Sequence, residues 1–185
     1  MSPSTDMPDP IPVLALSGPV GVGKSSVLVE IHDVLSALSV PHACVERDAL
    51  GYSWPVHGYF NEDVALRNLR TVWANFHAAG ARRVVIAGVI ERPADLAAYR
   101  EAIPGAVIQT CRLAAAEPTR LARLRSREHG AGLEWHLDRT VELERILDAT
   151  RLEDFTVVNE HQPLRAVAEE VLVRAGWIEA GALPP

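Results

Sequence analysis

Eight residues, Gly18-Pro19-Val20-Gly21-Val22-Gly23-Lys24-Ser25, combine three glycines with a lysine and a hydroxyl, and Lys24 is the only lysine in the chain. Every other long cationic side chain is arginine. Lysine is a compact point charge on a flexible stem, whereas arginine is a planar fork, so a site that keeps lysine alone has a use for the former. The octet fits Gly-x4-Gly-Lys-[Ser/Thr], in which backbone amides cradle phosphates, the lysine reaches their β/γ oxygens and the hydroxyl reaches Mg²⁺. Ser26 follows as a second hydroxyl at the same place.

Two carboxylates stand where such a loop could use them. Asp48 follows a short apolar run at 41–46, and Glu91 follows another at 84–90. A phosphoryl-acceptor hydroxyl needs a base within hydrogen-bond reach, which suits Asp48. Glu91 is the candidate for holding Mg²⁺ or a water. The structural alternative for each is a helix cap or a surface ion pair with Arg47 or Arg92. Arg120, Arg123 and Arg127 follow i, i+3, i+7 spacing and share one side of a helix. Just beyond them, His129-Gly130-Ala131-Gly132 supplies a hinge. Phosphoryl transfer spreads negative charge over oxygens that a mobile arginine can stabilise, which makes Arg123 and Arg127 lid candidates. A solvated helix face is the plainer reading.

Four of the ten aromatic residues, Tyr52, Trp54, Tyr59 and Phe60, lie among Gly51, Pro55, His57 and Gly58, in a stretch that cannot form a regular element. They either wall a substrate pocket, with Tyr52 and Trp54 foremost, or seal the core. His57 reads as a loop histidine without a role. No histidine or cysteine spacing follows a zinc pattern, and Cys44 and Cys111 read as small core residues.

The elements that must position these groups are legible as alternation. Residues 11–16 form an apolar run of the kind buried in a parallel sheet. Val27, Leu28, Ile31, Leu35 and Leu38 then recur at helical spacing until Pro41. Strands follow at 41–46, 84–90, 106–111 and 155–158. Helices fill 61–79, with Asn61 as N-cap and Val64, Ala65, Leu69, Val72, Trp73 and Phe76 inward, then 94–102, a run from Glu117, 133–149 and 163–175. Such alternation implies right-handed crossovers and a three-layer α/β fold, with ligands at the carboxyl ends of the strands. The phosphate loop, Asp48 and Glu91 all follow strands and so share one edge.

At 185 residues the chain suits one domain. The boundaries read as a tail at 1–10, a domain at 11–178 with a lid at about 117–135, and a tail at 179–185. A formal net charge of −6 argues against a general nucleic-acid surface. Residues 1–10 lack the features of a signal peptide, and no run approaches the roughly 18 apolar residues of a membrane span. The expected location is cytoplasmic, with neither nucleic acid nor membrane as partner.

The phosphate loop, Asp48 after the second strand, the run Leu121, Arg123, Leu124 and Arg127, and a strand ending near Asn159 resemble the small P-loop kinases. That group includes the shikimate, gluconate, adenylyl-sulfate and nucleoside phosphate kinases and the chloramphenicol phosphotransferases. The resemblance spans about 13–177. Arg47-Asp48-Ala49-Leu50 looks most like the acceptor turn of the last-named. It implies a five-stranded parallel sheet of order 2-3-1-4-5 under a small helical lid, with ATP and Mg²⁺ held by Gly18 to Ser26. It further implies Asp48 as acceptor base, Arg123 and Arg127 in the lid, Asn159 near the adenine, and a small-molecule acceptor. The third strand departs from the pattern, since Ala87-Gly88-Val89 stands where many relatives place an aspartate. Two rival classes remain. A GTPase or regulatory NTPase is opposed by the position of Asp48-Ala49-Leu50-Gly51 after the second strand, and by the absence of a second lysine for Asn-Lys-x-Asp. A nucleotide-binding module without an acceptor would suit the missing aspartate.

Overall fold

The computed structural model describes residues 9–56, 58 and 60–182; the expectations for residues 1–8, His57, Tyr59 and 183–185 lie outside them. Strand β1 (Ile11–Ser17) lies at the middle of a parallel five-stranded sheet, flanked by β3 (Val84–Ala87) and β4 (Ala106–Ala114), with β2 (Ala43–Glu46) and β5 (Phe155–Val158) at the edges. The order is β2-β3-β1-β4-β5. Because side chains alternate along a strand, Leu14 and Leu16 face one side of the sheet and Val13 and Ala15 the other.

Helices α1 (Lys24–Ala37) and α6 (Leu164–Arg174) cover the first face, through Val27, Ile31, Val34, Val167 and Val171. The other face lies under α2 (Glu62–Ala78) and α3 (Pro93–Ala102), through Leu69, Trp73 and Tyr99. Each fully buried Val, Leu or Ile stabilises by roughly 1.5–3 kcal/mol; β1 and β3 carry such residues on both faces, and β4 carries Leu113 on the first and the half-buried Ile108 on the second. Helices α4 (Glu117–Arg127) and α5 (Ala131–Thr150) form an elbow beside the carboxyl ends of the strands.

Four local expectations change. Asn61 does not cap α2: its side chain is buried and donates to the carbonyls of Gly51 (2.9 Å) and Ser53 (3.2 Å), so it ties the preceding loop shut instead. Phe76 turns outward, at 40% exposed, while Ala65, Leu69 and Trp73 form the buried stripe. Strand β3 stops at Ala87: the Gly88 amide makes the last ladder bond to β1, to the Leu16 carbonyl at 3.1 Å, and the chain then turns. Strand β4 runs three residues beyond Cys111, through a buried arginine. Arg112 is tolerated there because Glu144, Asp148 and Glu153 surround its guanidinium.

Candidate active site

The phosphate loop joins β1 to α1. A Cβ on Gly18 would stand 2.6 Å from the Leu113 carbonyl, and one on Gly23 would stand 2.4 Å from Asn159 Nδ2. Both positions also have left-side φ, 140° and 99°, which side chains disfavour. Glycine is therefore required for the loop to pass this close to β4 and to the end of β5. Among the described residues, α1 starts at Gly23 without a side-chain cap, so its first amides and its dipole are left to an anion.

The loop is held from behind. Asn159, 2% exposed, donates through Nδ2 to the Val22 carbonyl at 2.8 Å. Arg123 donates to the same carbonyl at 3.2 Å and to the Asn159 carbonyl at 3.0 Å. Thr140 on α5 donates to Val20 at 2.7 Å. Arg120 is 2% exposed and bound to Thr140, Ala115 and Glu144, so it is part of the support and not of a lid.

On the open side, Lys24 Nζ donates to the carbonyls of Gly18 (2.8 Å) and Pro19 (3.1 Å). Burial pulls its pKa down to about 8, against Asp48 and Glu46, which pull it up. Ser25 Oγ donates to Glu46 Oε1. Glu46 is not among the residues the sequence singles out; the available signal is its place as the last residue of a strand, two before Asp48. At the end of β3, a Cβ on Gly88 would meet the Tyr99 hydroxyl at 3.0 Å and Arg47 at 3.1 Å. A side chain there would press on both, and Glu46, in register with Ala87, reaches Ser25 from the next strand instead. Glu91, the sequence candidate for the metal, is ion-paired with Arg139.

A cavity of about 940 Å³ opens in front of the loop. Lys24, Ser25, Ser26, Glu46, Asp48 and Arg127 line one part of it. Asp48 begins the 3₁₀ turn Asp48–Gly51, with a side chain 59% exposed and only a distant 3.8 Å contact to Arg47. Arg127 closes α4 beside Glu128, which also binds His136. Tyr52, Phe60 and Trp135 line the other part, and the rings of Phe60 and Trp135 are in tilted contact with centroids 5.5 Å apart. Trp135, His136 and Arg139 are additions from α5 that helical periodicity alone does not mark. Tyr52 and Trp54 are 86% and 89% exposed, so they do not seal the core. Trp54 does not line the cavity.

The arginines on this side already have carboxylate partners. Arg47 binds Glu62 at 3.0 Å, Arg92 binds Asp95 at 3.0 Å and Glu62 at 3.4 Å, and Arg139 binds Glu142 at 2.7 Å as well as Glu91.

No protein-family model matches the chain, and no curated protein does. Among solved structures it is similar to a tunicamycin resistance protein from Deinococcus radiodurans, with a TM-score of 0.64 at 18% identity over 95% of this chain and 99% of that one. It is also similar to a gluconokinase from Sinorhizobium meliloti (TM-score 0.56, 22% identity, 92% and 93% covered) and a shikimate kinase from Acinetobacter baumannii (0.53, 19%, 88% and 91%). The fold is that of these P-loop kinase structures, with the covering of both faces expected from the alternation of elements and the sheet order that the resemblance implies.

Proposed function

We propose that the protein is an ATP-dependent phosphotransferase that moves the γ-phosphoryl group to a hydroxyl of a small, uncharged, ring-bearing acceptor. The observation that carries this is the union, in one cavity, of an anion cradle with an exposed carboxylate and an apolar wall. The glycine approach, the uncapped helix N-terminus, Lys24 and the Ser25–Glu46 pair fit a nucleotide triphosphate and a divalent cation. Gly18 to Ser26 would hold the phosphates, and Ser25 and Glu46 the Mg²⁺, which when bound supplies charge neutralisation. Lys24 places a cation on this side of the cavity for charge that grows on the transferred group, and Arg127, which lines the cavity in a pair with Glu128, would have to leave that carboxylate to add a second. Asp48 is exposed to the cavity and accepts the hydroxyl proton. Tyr52, Phe60 and Trp135 orient the acceptor by its apolar faces and exclude water. Arg123 and Asn159, both behind the loop, keep its backbone in register beside the nucleotide.

The ion pairs select among acceptors. Arg47, Arg92 and Arg139 are already neutralised by carboxylates, so a phosphate or carboxylate acceptor would have to break a pair to be bound. The similar proteins include a tunicamycin resistance protein, a gluconokinase and a shikimate kinase, which do not agree on an acceptor. The test is to incubate the protein with ATP and Mg²⁺ against neutral ring-bearing alcohols, sugar acids and nucleoside monophosphates, and to weigh the products. Phosphorylated neutral alcohols are expected. ADP formed at an equal rate with no acceptor present would make the protein an ATPase instead.

A further inference from the structure

We propose that His32, His42 and Cys44 form a binding site for a zinc ion, separate from the catalytic cavity. His32 lies on the exposed side of α1, Cys44 is on edge strand β2, and His42 is in the connection between them. One ligand atom from each falls within 4.8 Å of the other two. None of the three lines the catalytic cavity. The sequence positions follow no zinc pattern; the return of the chain from α1 into β2 brings them together.

The geometry is specific at the level of tautomers. His42 Nδ1 lies 2.7 Å from the Val40 carbonyl, so it carries hydrogen and donates, leaving Nε2 as a lone pair. That lone pair is 2.9 Å from His32 Nδ1. A histidine whose outer nitrogen is fixed on a backbone carbonyl, with the inner one turned to a shared point, is the arrangement that orients metal-bound imidazoles. The connection is itself held: the Val40 amide donates to Leu35 at 2.9 Å, and the Arg82 amide to Pro41 at 3.3 Å. Cys44 Sγ sits against the Leu28 carbonyl, one turn before His32 on the same side of α1.

Two imidazoles and a thiolate suit zinc and not magnesium or calcium, which favour oxygen. Zn–N distances of about 2.0–2.1 Å and a Zn–S distance of about 2.3 Å place tetrahedral ligand atoms roughly 3.3–3.6 Å apart, so the two imidazole nitrogens, at 2.9 Å, have to open by a few tenths of an ångström and the widest separation, within 4.8 Å, has to close by roughly 1 Å, which the exposed His32 can supply by rotation. On binding, the His32 proton moves to its outer nitrogen, and the Cys44 thiol gives one proton to solvent as the Zn–S bond forms. Burial holds that thiol up at about 12 without metal, so the ion has to displace a firmly held proton. A water completes the tetrahedron. The ion would clasp α1 to β2, with His32 seven residues, or about 10 Å of helix, beyond Ser25, and Cys44 two residues before Glu46.

The test uses the untagged full chain. Zn²⁺ titrated against a chromophoric chelator is expected to bind once per chain. Co²⁺ in its place is expected to give a thiolate-to-cobalt charge-transfer band, retained in Cys111→Ser and lost in Cys44→Ser. Affinity should fall by at least about tenfold in His32→Ala and in His42→Ala. Should Cys44→Ser fail to fold, the exposed His32→Ala variant decides the matter. No zinc taken from the chelator, or affinity unchanged in His32→Ala, overturns the proposal. The kinase assay plays no part in either outcome.

Discussion

The two sides of the cavity are built in different ways. The phosphate side is backbone: the loop carbonyls of Val20 and Val22 are each anchored by buried or half-buried side chains from α4, α5 and the end of β5, and two glycines allow approaches that no side chain would. The side proposed for the acceptor is side chains: exposed rings at Tyr52 and Phe60, and arginines neutralised by carboxylates. Phosphates are the same in every nucleotide, so a rigid set of amides serves them all. An acceptor is particular, and exposed side chains on a loop can be exchanged without disturbing the sheet. The phosphate side should therefore govern whether any reaction occurs, and the acceptor side where the phosphate goes.

Substitutions that blur this division are ordered by expected effect. Lys24→Ala should lower turnover with every acceptor by roughly 10³-fold, the scale of a lost electrostatic contact to the reacting group. Its thermal unfolding midpoint should not fall, since burying this ammonium is a cost. Steady-state rates and calorimetry check both, and near-normal turnover would remove the loop from the reaction. Glu46→Gln should raise the Mg²⁺ concentration needed for half-maximal rate by about 10–100-fold while leaving metal-free nucleotide affinity unchanged. A normal Mg²⁺ dependence would place the metal elsewhere.

The pH profile follows from Lys24, whose ammonium burial lowers to about 8. The empty site loses this proton as pH rises through about 8, whereas bound phosphates retain it, so binding above that pH must take up a proton. Nucleotide affinity should be flat below about 8 and weaken by up to about tenfold per unit above it. A Kd series across that range shows this, and constant affinity would contradict it. Smallest is Tyr52→Ala, expected to raise acceptor KM by about 1 kcal/mol, or roughly fivefold, with ATP KM unmoved. Trp54→Ala, outside the cavity lining, should change neither; equal effects from both would mean the loop acts as a whole.

What was readable from the sequence tracks how local its cause is. The loop and the strands follow from spacing and alternation, the sheet order from the resemblance that the motifs carry, and Gly18 to Ser25 join β1 to α1 as those patterns put them. Asn61 had the composition of a cap, yet its amide found three acceptors across the loop, at Gly51 and Ser53, and that contact is not local. Arg112 looked like the end of a strand because its burial depends on carboxylates 32 to 41 residues later. The place of Glu46 was hidden for the same reason: it rests on a contact with Ser25, 21 residues earlier in the chain. Arg120, Arg123 and Arg127 share a helix side as spacing requires, but only packing separates the first, buried under α5, from the last, at the cavity.

The division of labour is tested most directly by measuring nucleotide binding and phosphoryl transfer together in Asp48→Asn. Nucleotide Kd should stay within about twofold of the parent while transfer falls by about 10²-fold or more, the worth of a positioned base. Transfer unchanged, or binding and transfer lost in parallel, would contradict a carboxylate that serves the acceptor alone.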